Sequence, residues 1–340
     1  MTDREGITSI TDRVERIDAQ GVVAILPLGS SHAFVLGEEA VLLLGKAGPR
    51  RIAVHDGGIL DAAGDGKRIV TGGDDGKVVA LAADGTTQTI ATDEKRRWID
   101  HVALGGDGSV AWSCGKTVSV RAAKGGKIDK GDKGGDLRQR DMPSTPAGLA
   151  FLPKGFRLAV AHYNGVSLWF PNLPAEPETL AWKGSHLGLT VSPDGRFIVT
   201  AMQEPQLHGW RIADARDMRM SGYTARVRSM SWTADGAFLA TGGSEQVILW
   251  PFSGKDGPMG KQPKLLAPAA SRVTVVACHP REPVIATGFA DGMVLLVRVD
   301  DGAEILVRAP GGGPVTALGW TAKGDVLAFG TEDEAGILPL

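Results

Sequence analysis

Apolar residues along this chain come in short runs that alternate with polar ones and stop at Gly, Asp or Pro. One pattern, apolar-x-apolar followed by a turn, recurs throughout. It reads LDAAGDG at 60–66, VALGGDG at 102–108, LAFLPKG at 149–155, LTVSPDG at 189–195, MSWTADG at 230–236, VACHPRE at 276–282 and LGWTAKG at 318–324, with starts 40 to 47 residues apart. A second β-forming run that tends to end in small residues follows each turn, as in RIVTGG, RFIVTAM, AFLATGG and PVIATGF. A third run follows another turn, as in KVVALAADG, VSLWFPN, LHGWRIAD, QVILWPFSG and MVLLVRVDDG. Period-2 alternation, β-branched residues and dense turn signals predict strands joined by hairpins, with no helical period.

With a degenerate first copy (VVAILPL, HAFVLG, AVLLL), the pattern gives eight units beginning near residues 22, 58, 99, 146, 186, 226, 272 and 314. Several carry a weaker fourth strand, such as RRIAVHD, TTQTIAT, PETLAW and AEILVRA. The last unit has only three, while residues 8–18, TSITDRVERID, form an extra extended segment ahead of the first. An unpaired last unit would expose a strand edge of unsatisfied backbone groups, so the segment at 8–18 is expected to complete it.

The period and the order of strands resemble the WD40 repeat family. The strongest copies are HLGLTVSPDGRFIVTAMQEPQLHGWRI and VRSMSWTADGAFLATGGSEQVILWPF. Trp169, Trp210 and Trp250 stand at the family's third-strand aromatic position, but Phe170, Arg211 and Pro251 follow where Asp is usual, and the Gly-His dipeptide is also missing. The resemblance implies one all-β domain over residues 1–340, a closed β-propeller of four-stranded blades. Eight blades are expected and seven are the alternative, because unit 1 is weak and seven is common in the family. The departures imply an incomplete side-chain hydrogen-bond network. Leu60, Val102, Leu149, Leu189, Met230, Val276 and Leu318 recur on the first strands and are expected to fill the inner core, joined by Trp232 and Trp320.

Composition adds constraints. Glycine accounts for 47 of 340 residues without a collagen-like period, which fits many tight turns. Lys and Arg total 37 against 39 Asp and Glu, so no global basic field favours nucleic acid. The first residues lack the apolar core of a secretory signal, and no apolar run is long enough for a spanning helix, so a cytoplasmic protein without membrane insertion is expected.

Candidate chemistry is sparse. Cys114 and Cys278 have no metal-ligand spacing and are expected to be small buried hydrophobes. The seven histidines are scattered among units. In KIDKGDKGGDLRQRDMP, at 127–143, Asp129, Asp132 and Asp136 do not match a calcium loop, and a solvated inter-blade loop is expected. The Gly- and Pro-punctuated insertion at 253–270 reads the same way. No phosphate loop or nucleophile elbow occurs, so no metal and no cofactor is expected.

The resemblance places the loops leading into the first strand and those joining the second to the third on one face, where partners dock. The lead-in loops carry Arg97, Trp98, His186, Tyr223, Arg226 and Arg272, and the joining loops carry His162, Tyr163 and Phe289. Aromatic and arginine residues are enriched at interface hot spots. The remaining units offer an acidic sector of Glu38, Glu39, Asp74, Asp75, Asp291, Glu332, Asp333 and Glu334. The expected function is a non-enzymatic scaffold or regulatory subunit that binds a protein or peptide. An enzyme or small-molecule sensor using the central channel is the alternative.

Overall fold

The computed structural model describes residues 7–45, 48–123 and 137–340. Asp129, Asp132 and Asp136 lie outside these residues. Every described element except one short 3-10 turn at Thr11–Arg13 is a β-strand. The strands lie in seven hydrogen-bonded sheets arranged as a closed propeller. Within each sheet, sequential strands pair antiparallel and run outward from the ring axis. The first strands of consecutive units contact one another, with Val22–Leu28 beside Ile59–Gly64 and Ala317–Trp320 beside Val22–Leu28.

The eight sequence units fit seven sheets because units 4 and 5 share a six-stranded one. Its long strands, Leu158–Trp169 and Glu178–Val191, each fold back on themselves. His162 Nε2 lies 2.8 Å from Ser167 Oγ. In extended chain those residues would be about 16 Å apart. Asn164 and Gly165, at φ 69° and 144°, make that reversal. In the second long strand His186 Nε2 reaches the Trp182 carbonyl at 3.0 Å. The described strands thus form seven continuous sheets, the alternative rather than the eight blades expected, although the sequence carries eight repeat units.

Packing between units explains the apolar runs. Eight buried clusters each join one unit to the next, and one of them closes the circle by bringing Val22, Ile25 and Phe34 against Ala317, Ala328 and Ala335. Second and third strands are covered on both faces, so both alternating sets of side chains are apolar. In Phe197–Met202, for example, Phe197, Val199 and Ala201 face unit 6 while Ile198 faces unit 4. The small residues that end the second strands have a steric cause. A Cβ on Gly72 would sit 2.7 Å from Ile99 Cγ2, one on Gly288 2.6 Å from Val315 Cβ, and one on Gly330 2.6 Å from Val22 Cβ. Each glycine thus admits the first inner residue of the next unit.

Of the expected inner-core residues, Val102, Val276, Leu318 and Trp320 are buried, while Leu149, Leu189, Met230 and Trp232 pack half-buried against the clusters. Leu60 is a correction, because it is 41% exposed. A bulge between Ile59 and Asp61 makes Leu60 the extra residue of its strand, and Ile59 takes the buried place. Equivalent bulges project Val23 and Leu187.

The N-terminal segment divides its role. Glu15–Ile17 pairs antiparallel with Ala335–Ile337 and supplies the fourth strand of unit 8. Thr8–Ser9 lies parallel to Glu304–Arg308 and widens the sheet of unit 7 to five strands. Ile10 and Val14 pack into the cluster between those units.

Deleting residues 1–18 should therefore lower the melting midpoint in a single cooperative transition, by roughly 1–2 °C for each kcal/mol lost. Differential scanning calorimetry checks this, and an unchanged midpoint would contradict closure by this segment. Phe197→Ala, which empties a fully buried site beside Phe252 (ring centroids 5.2 Å apart), should cost about 3–5 kcal/mol in urea denaturation.

Candidate interaction face

Lead-in and joining loops are stitched together on one side of the ring. The amide of Tyr163, in a joining loop, donates to Ser144 Oγ in the loop leading into unit 4 at 3.0 Å. Arg226 Nη1, leading into unit 6, donates to Gln203 Oε1 of the neighbouring joining loop at 3.2 Å. The amide of Ala290 bonds the Arg272 carbonyl in the same manner.

The residues expected on this face separate into two groups. Trp98 is 61% and Tyr163 54% exposed. Lys95, Arg96, Arg97 and Arg272 are exposed, and Arg226 is half-buried. Arg97 is oriented by Asp93, with Nη2 2.7 Å from Oδ1, and this guanidinium is the main influence holding the Asp93 carboxyl down at about 2. His162, His186, Tyr223 and Phe289, by contrast, are buried. They are corrections: each turns inward at a blade edge, where a polar partner or an apolar cluster receives it.

His186 and Tyr223 belong to hydrogen-bond relays that the missing Gly-His and Trp-Asp pairs do not suggest. In unit 2, His55 Nδ1 lies 3.0 Å from Asp75 Oδ1 and Nε2 lies 2.8 Å from Thr71 Oγ1. In unit 5, His186 Nδ1 meets Thr200 Oγ1 at 2.8 Å, and the Thr200 hydroxyl meets the His208 carbonyl at 3.0 Å. In unit 6 a tyrosine serves, with Trp250 Nε1 donating to Tyr223 Oη at 2.7 Å and Tyr223 Oη 2.9 Å from Thr241 Oγ1. Each relay ties a lead-in loop to the second strand through a threonine. His55 and Asp75 were not legible as a pair, and the available signal was the threonine before the small residues at Thr71, Thr200 and Thr241.

Asp75 is accordingly internal rather than part of an acidic surface. Burial opposes its ionisation, but bonds from the Asp56 amide, His55 and the Lys77 amide prevail and hold it at about 2. Within the same sector Glu39 pairs with Arg51 at 3.0 Å, Glu334 binds Arg308, and Asp291 accepts the Met293 amide. Glu38, Glu332 and Asp333 are exposed. Cys114 is buried and Cys278 half-buried, and burial pushes the Cys278 thiol up to about 12. Among the described residues no three His, Cys, Asp or Glu side chains group as metal ligands. No helix among them is long and apolar enough to cross a membrane.

The closed ring of four-stranded antiparallel units, with its threonine-centred relays, defines a β-propeller. Residues 217–251 match the family model "WD domain, G-beta repeat", so the chain carries a WD40 repeat there. Solved structures share the fold at low identity. U3-55K is 17% identical with a TM-score of 0.61, over 89% of this chain and 98% of that one. The computationally designed Ika8 protein is 17% identical with a TM-score of 0.72, over 98% and 99%. A chain of the mitotic checkpoint complex is 15% identical with a TM-score of 0.64, over 96% and 93%. No curated protein sequence matches significantly.

Two buried imidazoles make stability depend on pH. His208 stacks on Trp182 at 3.9 Å and meets Trp210 edge-on at 4.8 Å. Neither of its ring nitrogens has a hydrogen-bond partner, and Asp217 Oδ2 lies 3.5 Å from Nε2. Burial lowers His208, and likewise His32, from 6.5 to about 4. The unfolded chain therefore takes up protons first as pH falls, so the stability these neutral rings contribute is complete above 6.5 and is lost towards 4. His208→Phe, which keeps the stack, should flatten the fall in melting temperature between those pH values. A curve parallel to wild type would count against this.

Proposed function

We propose that this chain is a protein-interaction platform whose docking face is built from the lead-in and joining loops of units 3 to 6. The observation that carries this reading is the exposure of Trp98 and Tyr163, 61% and 54%, in loops that also present Lys95, Arg96 and Arg97. Large aromatic rings left in water at loop tips gain most from burial against a partner. The lead-in loops of units 5 and 6 are tied to their blades by relays, which reduces the ordering cost of docking there. Propellers of WD40 type are generally non-enzymatic scaffolds, and the reading extends that general role to this chain. The cytoplasm is the compartment in which we expect the partner.

A Trp98→Ala, Tyr163→Ala, Arg226→Ala variant should remain folded, because none of these side chains belongs to a core cluster, and should lose partners retained by wild type. Affinity capture from native lysate with quantitative mass spectrometry reads this. Identical sets of captured proteins would remove this face from consideration.

A further inference from the structure

The insertion in unit 6 does not hang in solvent as the sequence suggests. Gly257 and Pro258 are buried, and Met259 packs on the cluster between units 5 and 6. Arg196 Nη1 donates to the Gly254 carbonyl at 2.7 Å and Arg211 Nη1 to the Lys255 carbonyl at 3.2 Å. These bonds clamp the insertion onto unit 5. Between it and the outermost strand of that unit, Arg216–Met220, a groove of ≈ 700 Å³ opens on the rim of the propeller. The groove exists because the outermost strand of unit 6, Lys264–Leu266, pairs only as far as Leu249 and leaves Trp250 without a covering strand.

Arg216, 3.8 Å from Asp256, and the single carboxylate Asp217 border the groove, and the rest of its lining is of two kinds. Met218, Met220 and Trp250 are apolar and buried, with Met259 half-buried beside them. Arg219 and Lys261 are cations whose side chains bond neutral partners, the Gln206 amide oxygen at 2.7 Å and the Ser253 carbonyl at 2.6 Å. No carboxylate pairs with either of them among the described residues. One wall is the strand Arg216–Met220, which pairs on one side with Leu207–Arg211 and with no strand on the other.

We infer that this groove is a second docking site, distinct from the loop face, for a short extended segment of a partner protein in which a bulky apolar side chain is flanked by Asp or Glu. The apolar side chain enters the methionine-lined floor, which adapts to shape because thioether chains are flexible. The acidic residues meet Arg219 and Lys261. The segment's backbone lies along the open edge of Arg216–Met220, where unpaired strand groups accept an added strand.

Selection of a random peptide display library on the full-length chain, followed by fluorescence anisotropy with the enriched peptides after labelling, tests this. Enriched peptides are expected to combine acidic residues with an apolar anchor. Arg219→Glu with Lys261→Glu is expected to weaken them about tenfold or more, and Arg219→Gln with Lys261→Gln to weaken them less. Trp98→Ala with Tyr163→Ala, which tests the loop face, should leave their affinity unchanged. Thermal melting verifies that each variant is folded. The inference is overturned if no peptide is enriched, if enriched peptides lack acidic residues, or if they bind the charge-reversed protein within about twofold of wild type. Loss of binding in the Trp98, Tyr163 variant alone would assign the peptides to the loop face and also overturn it.

Discussion

The architecture depends on how closely one unit can approach the next. Where a second strand ends, the first inner residue of the following unit lies against it, and the space left is smaller than a methyl group at Gly72, Gly288 and Gly330. Close lateral contact there brings the clusters between units into register and makes every second and third strand a two-faced buried element. Burial on both faces, at about 25 cal/mol for each Å² of apolar surface, is the main stabilising term for a fold with so little regular structure outside its sheets. The same contact recurs between the last unit and the first, where Gly330 receives Val22, so the ring closes by the rule that builds it.

Much of this was legible in the sequence, because strand periodicity and turn chemistry are local. The unit boundaries and the origin of the last unit's fourth strand follow from counting hydrophobic runs. What escaped was non-local. Nothing in LDAAGDG marks Leu60 as the extra residue of a bulge, since register depends on the partner strand and on the neighbouring unit. The sharing of one sheet by units 4 and 5 depends on hairpin tips meeting across a blade boundary, with Tyr163 opposite Ser185.

The candidate face was legible by location and less so by orientation. Loop position identified Trp98 and Tyr163 correctly as solvent-facing, but the same reasoning exposed His162, His186, Tyr223 and Phe289, which point inward. The difference is that an imidazole or phenol near a strand threonine finds a buried hydrogen bond, whereas an indole whose neighbours are Arg96 and Arg97 does not. The relays also show how a divergent repeat keeps its loops anchored after losing its signature. Threonine on the second strand is retained at one end, while histidine or tyrosine supplies the other.

The short strand Glu15–Ile17 has a consequence for how the molecule is made. It is synthesised well before its partner, Ala335–Ile337, with every other unit lying between them in the chain. Until that partner arrives the early segment has no place in any sheet, and the units already formed remain an open arc with a bare edge at each end. Contacts of such sequence separation form slowly and leave the incomplete arc prone to association with other chains. Ring closure therefore waits for every unit between the two strands, and the open arc is the form most in need of protection by the cell.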